Sequence, residues 1–227
     1  SWGSDMAGRP RLGHLVRRLL REVPDLPRLR LSSLDPAEPD AELMDVLAEE
    51  SRLMPHLHIS AQHGDDLILR RMKRRHLGRD IIRFCDEARR RRPDVAFGAD
   101  IIAGFPTESD AAHQQTMMMI KDAGISYLHV FPYSPRQSTP AAAMPQLDAA
   151  VIKQRAGALR ELGKAQLHQH LETAIGTTDR MLVESGNVGH GKNFAKIRLD
   201  QPFVPASSLV DVKIYRRDQD MLLAHAV

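Results

Sequence analysis

Only one cysteine, Cys85, occurs in 227 residues. That excludes a disulfide framework, and any metal centre built from this chain's thiolates alone. Aromatic residues are scarce at 4%, with a single tryptophan. No apolar run approaches the ~18 residues that a membrane-spanning helix needs. The opening Ser1-Trp2-Gly3-Ser4-Asp5 has no basic-then-apolar signal pattern. Neither sign of charge dominates, with 32 Lys+Arg against 29 Asp+Glu and a net charge of +3. The 42% hydrophobic and 27% charged fractions are those of a soluble globular protein rather than a disordered one. A cytoplasmic protein without a membrane partner is expected. The length suits one large domain, or a moderate domain plus a small one.

Charge is nevertheless clustered. Arg70, Arg71, Lys73, Arg74, Arg75 and His76 form one basic group, and residues 89–92 are four arginines in a row. Such runs can hold phosphates, although a solvated helix end is the more common explanation of a cluster taken alone. They permit a nucleic-acid partner without requiring it.

The first three-quarters of the chain alternates short strand patterns with amphipathic helices. Residues 12–23 read as a helix with Leu15, Leu19 and Leu20 on one side, and residues 28–32 alternate with period two. Asp40 is suited to cap a helix carrying Leu43, Met44, Val46 and Leu47. A strand over 56–63 and helices over 65–74 and 79–92 follow. The last of these places Ile81, Cys85 and Ala88 at helical spacing, which makes Cys85 a core residue. A third strand covers 97–102. Ser109 caps the next helix, Gly124 stops it, and a fourth strand covers 127–131. Short strand–helix–strand connections imply parallel strands with right-handed crossovers, in an open sheet or a barrel. After Pro145 a long helix capped by Asp148 runs to about Gly176. Short strands over 180–184, 194–199, 209–215 and 221–226 follow, with turns at Gly186-Asn187, Gly189-His190-Gly191, Pro202 and Asp218. This last part reads as a small β-barrel of OB-like size. The expected organisation is an α/β part over 1–146, a connecting helix over 147–175 and a β-barrel over 176–227.

In parallel α/β folds functional groups gather at the carboxyl ends of strands. Here those ends read Ser32-Ser33-Leu34-Asp35, Gln62-His63-Gly64-Asp65, Gly104-Phe105-Pro106-Thr107-Glu108 and Tyr133-Ser134-Pro135-Arg136. Alternation sets His58, Ser60 and Gln62 on one face of their strand, with Asp100 and Gly104, and His129, Phe131 and Tyr133, sharing faces of theirs. Two chemistries suit such a face. His56, His58, Asp100 and His129 would suit metal-assisted hydrolysis on a TIM-like barrel, although hydrogen-bonded histidines account for the same residues. The small residues of Gly98-Ala99-Asp100-Ile101-Ile102-Ala103-Gly104 would let a backbone approach the flat ring of an adenosyl cofactor.

Longer segments carry a resemblance. The run from His129 to Pro145, HVFPYSPRQSTPAAAMP, resembles the last-strand signature F-x-Y-S-x-R-x-G-T-x-A of the radical S-adenosylmethionine methylthiotransferases, and is nearest to their MtaB-like branch. Residues 100–108, DIIAGFPTE, resemble the family's D-I-I-V-G-F-P-G-E, and residues 58–65, HISAQHGD, its H-L-x-x-Q-S-G-S/D. Residues 31–36 and 72–76 also fit, and the trailing β-module resembles the TRAM domain.

The resemblance implies a (β/α) radical SAM barrel followed by TRAM, in a transferase that modifies tRNA. It implies 2-methylthiolation of N6-threonylcarbamoyladenosine beside the anticodon, with S-adenosylmethionine and [4Fe–4S] clusters as cofactors. Isopentenyladenosine or a ribosomal protein are the substrates of neighbouring branches. By the same resemblance, Gln62, Gly64 and Arg74 would lie near the amino-acid and ribose end of S-adenosylmethionine. Asp100, Gly104 and Phe131 would lie nearer its adenine. Lys192, Lys196, Arg198 and Lys213 would contact tRNA phosphates.

Three departures qualify it. The cluster-binding C-x₃-C-x₂-C loop and the family's second cysteine set have no counterpart here. The amino end resembles a segment after the second barrel strand, which implies about four of six strands, an inactive portion on its own and a barrel edge open to pairing. His63 stands where the family has Ser, and Ser138 where it has Gly. A non-catalytic RNA-binding module is therefore a second reading, beside the metal-dependent hydrolase.

Overall fold

A computed structural model describes residues 2–227, which divide into two compact units at Gly163/Lys164. The first is built on four strands, β1 (Leu29–Leu34), β2 (Leu53–Gln62), β3 (Ala96–Ala103) and β4 (Tyr127–Pro132), hydrogen-bonded in the order β1-β2-β3-β4 and parallel throughout. Sequential order without a reversal is that of a barrel rather than a doubly wound sheet. The strands alternate with α1 (Leu12–Glu22), α2 (Ala41–Glu49), α3 (Asp66–Arg71), α4 (Gly78–Arg91), α5 (Asp110–Asp122) and α6 (Ala149–Glu172), the last of which crosses the division.

Helix starts follow local chemistry. The Asp40 carboxylate accepts the Leu43 N–H at 2.9 Å, Asp65 accepts that of Ile68 at 2.8 Å, and Ser109 Oγ accepts that of Ala112 at 3.1 Å. One face of the sheet is apolar. Leu57 and Ile59 of β2 and Phe97, Ala99 and Ile101 of β3 are buried there with Val16 and Leu20 of α1, Val46 and Leu47 of α2, Ile81 and Cys85 of α4, Ile120 of α5 and Leu159 of α6. Cys85 is fully buried, and burial pushes its thiol up to about 12.

The basic runs are solvated helix ends only in part: Arg70, Lys73, Arg75, Arg90 and Arg91 are exposed, while others bind backbone. Arg92 donates from Nη1 to the carbonyls of Leu47, Glu50 and Leu53 at 3.1, 3.1 and 2.8 Å, which ties the end of α4 to the start of β2. Arg89 bonds the Ala123 carbonyl and lies over the Phe97 ring at 5.0 Å. Arg75 pairs with Glu38 at 2.8 Å, and His76 reaches the Ala61 carbonyl at 3.0 Å. These side chains join elements within the unit.

The second unit is a closed barrel of β5 (Thr178–Ser185), β6 (Val188–His190), β7 (Lys196–Leu199), β8 (Leu209–Asp218) and β9 (Met221–Ala226), in the order β5-β6-β7-β9-β8. β7 and β9 run parallel, and the other pairs are antiparallel. Met181, Val183, Ile197, Leu199, Val212, Ile214, Leu222 and Ala224 fill it, together with Leu171 from the end of α6. Gly189-His190, expected as a turn, instead belongs to strand β6. Three residues are too few for a period-two pattern, and a glycine among them reads as a turn.

Candidate functional site

The other face of the four-stranded sheet is polar. Alternation sends His56, His58, Ser60 and Gln62 to it from β2, Gly98, Asp100 and Ile102 from β3, and Tyr127, His129 and Phe131 from β4. The register sets His58 opposite Gly98, and Asp100 opposite His129. A Cβ at residue 98 would lie 2.5 Å from His58 Nδ1, so glycine there lets the imidazole lean across β3. Of the small residues of β3, Gly98 thus makes room for the His58 ring. His58 Nε2 lies 2.9 Å from Asp100 Oδ1, and His129 Nδ1 lies 3.3 Å from the same oxygen. His56 stands apart from this trio, buried and edge-on to Tyr127 with ring centroids 5.4 Å apart.

The six residues expected near a cofactor occupy different settings. Asp100 and Phe131 share the polar face, and Phe131 is half exposed. Gln62 ends β2 in a left-handed conformation, with φ of +66°, where the pairing register shifts. Arg74 Nη2 donates to the Ser60 carbonyl at 3.0 Å and reaches Asp35 Oδ2 at 3.4 Å. Gly64 sits against α5, its N–H donating to Thr116 Oγ1 at 3.0 Å. Gly104 lies beneath Ile152 of α6, its N–H donating to the Glu108 carboxylate.

Glu108 anchors a cluster that the sequence reading passed over. Its buried carboxylate lies 3.4 Å from His113 Nδ1, 3.6 Å from His63 Nε2 and 3.6 Å from Arg155 Nη1. Arg155 also donates to the Glu108 carbonyl at 2.8 Å and to Asp110 at 2.7 Å. Burial alone would raise the Glu108 pKa. Hydrogen bonds from His113 and His63, with the charges of His63 and Arg155, outweigh it and hold the carboxyl at about 2. His63 is completely buried, bonded also to Thr116 and to the Asp65 N–H. Three segments far apart in sequence, around His63, Glu108–Thr116 and Arg155, make this cluster, and no local pattern announces it.

Ser138 adopts φ of +68° in the loop after β4. A side chain there is strained by about 1–2 kcal/mol, and glycine is not. Ser138→Gly should therefore raise stability by about 0.5–1 kcal/mol, read as a higher urea midpoint with an unchanged slope.

In the barrel, Lys196 and Arg198 alternate with buried Ile197 and Leu199 and point outward from β7. Lys213 is exposed on β8, its Nζ donating to the Gly176 carbonyl. Lys192 precedes β7, with its backbone N–H on Asp179 at 3.1 Å. Two further exposed residues lie outside that set of four. Arg216 is exposed on β8, and Phe203 is 78% exposed. Asn187 holds the Phe203 loop, donating to the Gln201 carbonyl at 2.7 Å and accepting the Val204 N–H at 2.8 Å. Val188, beside Asn187, pairs with Arg198.

Comparison with known proteins bears on both units. The chain is 48% identical over 201 residues, 88% of its length, to the threonylcarbamoyladenosine tRNA methylthiotransferase MtaB of Rickettsia prowazekii, and spans 48% of that protein. It is 34% identical to a tRNA-2-methylthio-N(6)-dimethylallyladenosine synthase of Neorickettsia sennetsu, over 92% of this chain and 44% of that one. A synthase of the same name from Cereibacter sphaeroides is 32% identical, over 94% and 50%. The chain thus spans about half the length of the curated relatives it matches. Among solved structures, coproporphyrinogen III oxidase HemN of Escherichia coli, described as a radical SAM enzyme, superposes with a TM-score of 0.50 at 19% identity, over 70% of this chain and 37% of its own. Its likeness concerns the fold alone. The family model of the radical SAM superfamily matches residues 3–120, which hold the first three strands of the sheet, the polar-face residues His58 and Asp100, and Glu108. The chain belongs to the radical SAM superfamily.

Proposed function

We propose that this chain carries the cofactor-side barrel segment and the RNA-binding barrel of a tRNA methylthiotransferase, one that converts N6-threonylcarbamoyladenosine beside the anticodon to its 2-methylthio form. The observation that carries this reading is the 48% identity, over most of the chain, to a relative named for that activity.

When bound in a complete enzyme, S-adenosylmethionine with a [4Fe–4S] cluster would supply radical hydrogen abstraction, and a second S-adenosylmethionine would supply the methyl group. The donors of this chain do not fit the cluster. Three thiolates are needed, and the one thiol is buried in the core with its pKa pushed up to about 12. No step of this chain runs through a cluster. For S-adenosylmethionine the residues fit better. Phe131 would offer its exposed ring to the adenine, Asp100 would accept from a polar group, and Gln62 would present its amide at the end of β2. Arg74, held on the Ser60 carbonyl and Asp35, would keep the segment after β2 in place.

The order β5-β6-β7-β9-β8 with parallel β7 and β9 supports reading the second unit as an OB-type TRAM barrel, whose second and third strands grip nucleic acid. Lys196 and Arg198 lie on the third of those strands, Phe203 would stack on a base, and the anticodon arm of a cytoplasmic tRNA is the partner. Among the described residues β1 and β4 each have a strand neighbour on one side only, and those rims would accept further strands.

Deleting the encoding gene and analysing tRNA nucleosides by mass spectrometry tests the activity. The 2-methylthio derivative should vanish and N6-threonylcarbamoyladenosine accumulate; an unchanged profile would overturn the reading. A second reading, RNA binding without catalysis, is favoured by the burial of the one thiol. Both readings predict the same binding result. Replacing Lys192, Lys196, Arg198 and Lys213 by alanine should reduce the salt slope of anticodon stem-loop binding by about 3, since each phosphate contact contributes roughly 0.7–0.9.

A further inference from the structure

We propose that His58, Asp100 and His129 form a site for one divalent transition-metal ion of the zinc type. Three adjacent parallel strands each contribute one ligand on the same face, and the donor atoms lie within 4.8 Å of one another. Zinc bonds of about 2.0–2.1 Å to nitrogen and oxygen, at tetrahedral angles, separate ligand atoms by about 3.4 Å. The separations of 2.9 Å from His58 Nε2 to Asp100 Oδ1 and 3.3 Å from His129 Nδ1 to the same oxygen need only small side-chain rotations to enclose an ion.

The backbone favours the arrangement. Glycine at residue 98 leaves the space into which His58 Nδ1 presses, so the ring is directed across β3 to Asp100. Burial is graded across the site. The His58 side chain is 13% exposed, Asp100 25% and His129 59%, so the ion would be held from the strand side and reached from the His129 side. Two imidazoles and one carboxylate leave a fourth position for water or another oxygen or nitrogen ligand, as catalytic zinc sites do. The donor set is one for zinc, cobalt or nickel rather than calcium or magnesium, which prefer all-oxygen shells. The chain's one thiol does not compete, because Cys85 is buried in the core.

The site shares Asp100 with the cofactor-facing residues proposed above, but its test needs neither S-adenosylmethionine nor RNA, so the two readings can fail separately. Metal-free protein is titrated with ZnCl₂ by calorimetry and with CoCl₂ while the visible ligand-field bands are followed. One equivalent of zinc, and cobalt bands of a four- or five-coordinate nitrogen–oxygen site, are expected. His129→Ala alters an exposed side chain and should leave the circular dichroism unchanged. It should nevertheless weaken zinc by more than the roughly 10–100-fold that outer-shell changes cost. Asp100→Asn should do the same, and His190→Ala in the barrel should change nothing. Absence of stoichiometric zinc, or zinc held equally well by His129→Ala, would overturn the proposal.

Discussion

Replacing Glu108 by alanine is expected to cost about 3–5 kcal/mol of stability at neutral pH, the range for breaking a buried ion pair from one side. Arg155 would keep Asp110 and a carbonyl, but His63 and His113 would lose the carboxylate they face. The pH dependence separates this charge effect from a packing defect. The folded-state pKa of Glu108 is about 2, below the ordinary value of 4.5. A depression of that size corresponds to about 3 kcal/mol. Because the folded value is the lower one, the contribution is complete above about pH 4.5 and is lost as pH falls through about 2. Urea unfolding of wild type and Glu108→Gln at pH 7 and pH 3 should show the difference between them narrowing at the lower pH. A constant difference would mean that the carboxylate is not held as described.

Gly189→Ala should be as damaging, and its effect should stay within the barrel. An added Cβ would stand 1.8 Å from the Leu182 carbonyl oxygen and 2.7 Å from its carbon, both backbone atoms of β5. β5 and β6 would have to separate, breaking the Val183–Gly189 and Leu182–His190 pairs that close this side of the cylinder. A loss of at least about 3 kcal/mol is expected, at the upper end for overpacking because no side chain can rotate away. Hydrogen exchange read by mass spectrometry should show β5 to β9 losing protection while β2 and β3 keep theirs. Wild-type protection throughout would show that the two strands are not so close.

What could be read from the sequence was whatever has a short period. The strands over His58–Gln62 and Phe97–Ile102 alternate, and the caps Asp40 and Ser109 lie next to what they cap, so these elements were recognised to within a few residues. The start of β2 at Leu53 is not legible in the sequence, because Pro55 interrupts a run otherwise suited to a strand. The trio of His58, Asp100 and His129 was visible because each residue falls on the same parity of its own strand. The fourth expected member, His56, shares that parity but packs on Tyr127 instead. Pairings across long separations were illegible. Arg92 meets the Leu53 carbonyl 39 residues away, and Arg155 meets Glu108 across 47. The basic runs therefore look like phosphate-binding or solvent-facing surface, although Arg74, His76, Arg89 and Arg92 grip neighbouring backbone. His63 shows how a departure from a family pattern can be absorbed: in place of a small hydroxyl, an imidazole fills the space beside Thr116 and gains a carboxylate partner.

The packing of Leu171 into the cylinder of β5–β9 bears on how the protein can be dissected. A truncation that starts at the first strand residue, Thr178, would discard Leu171 and the partly buried Leu167, leaving a hole where their isobutyl groups had been. Vacating one such side chain costs about 2–5 kcal/mol, much of what a module of this size has to spare. The shortest self-supporting piece must therefore retain the final turns of the preceding helix, so that the all-β module depends on an α-helical plug.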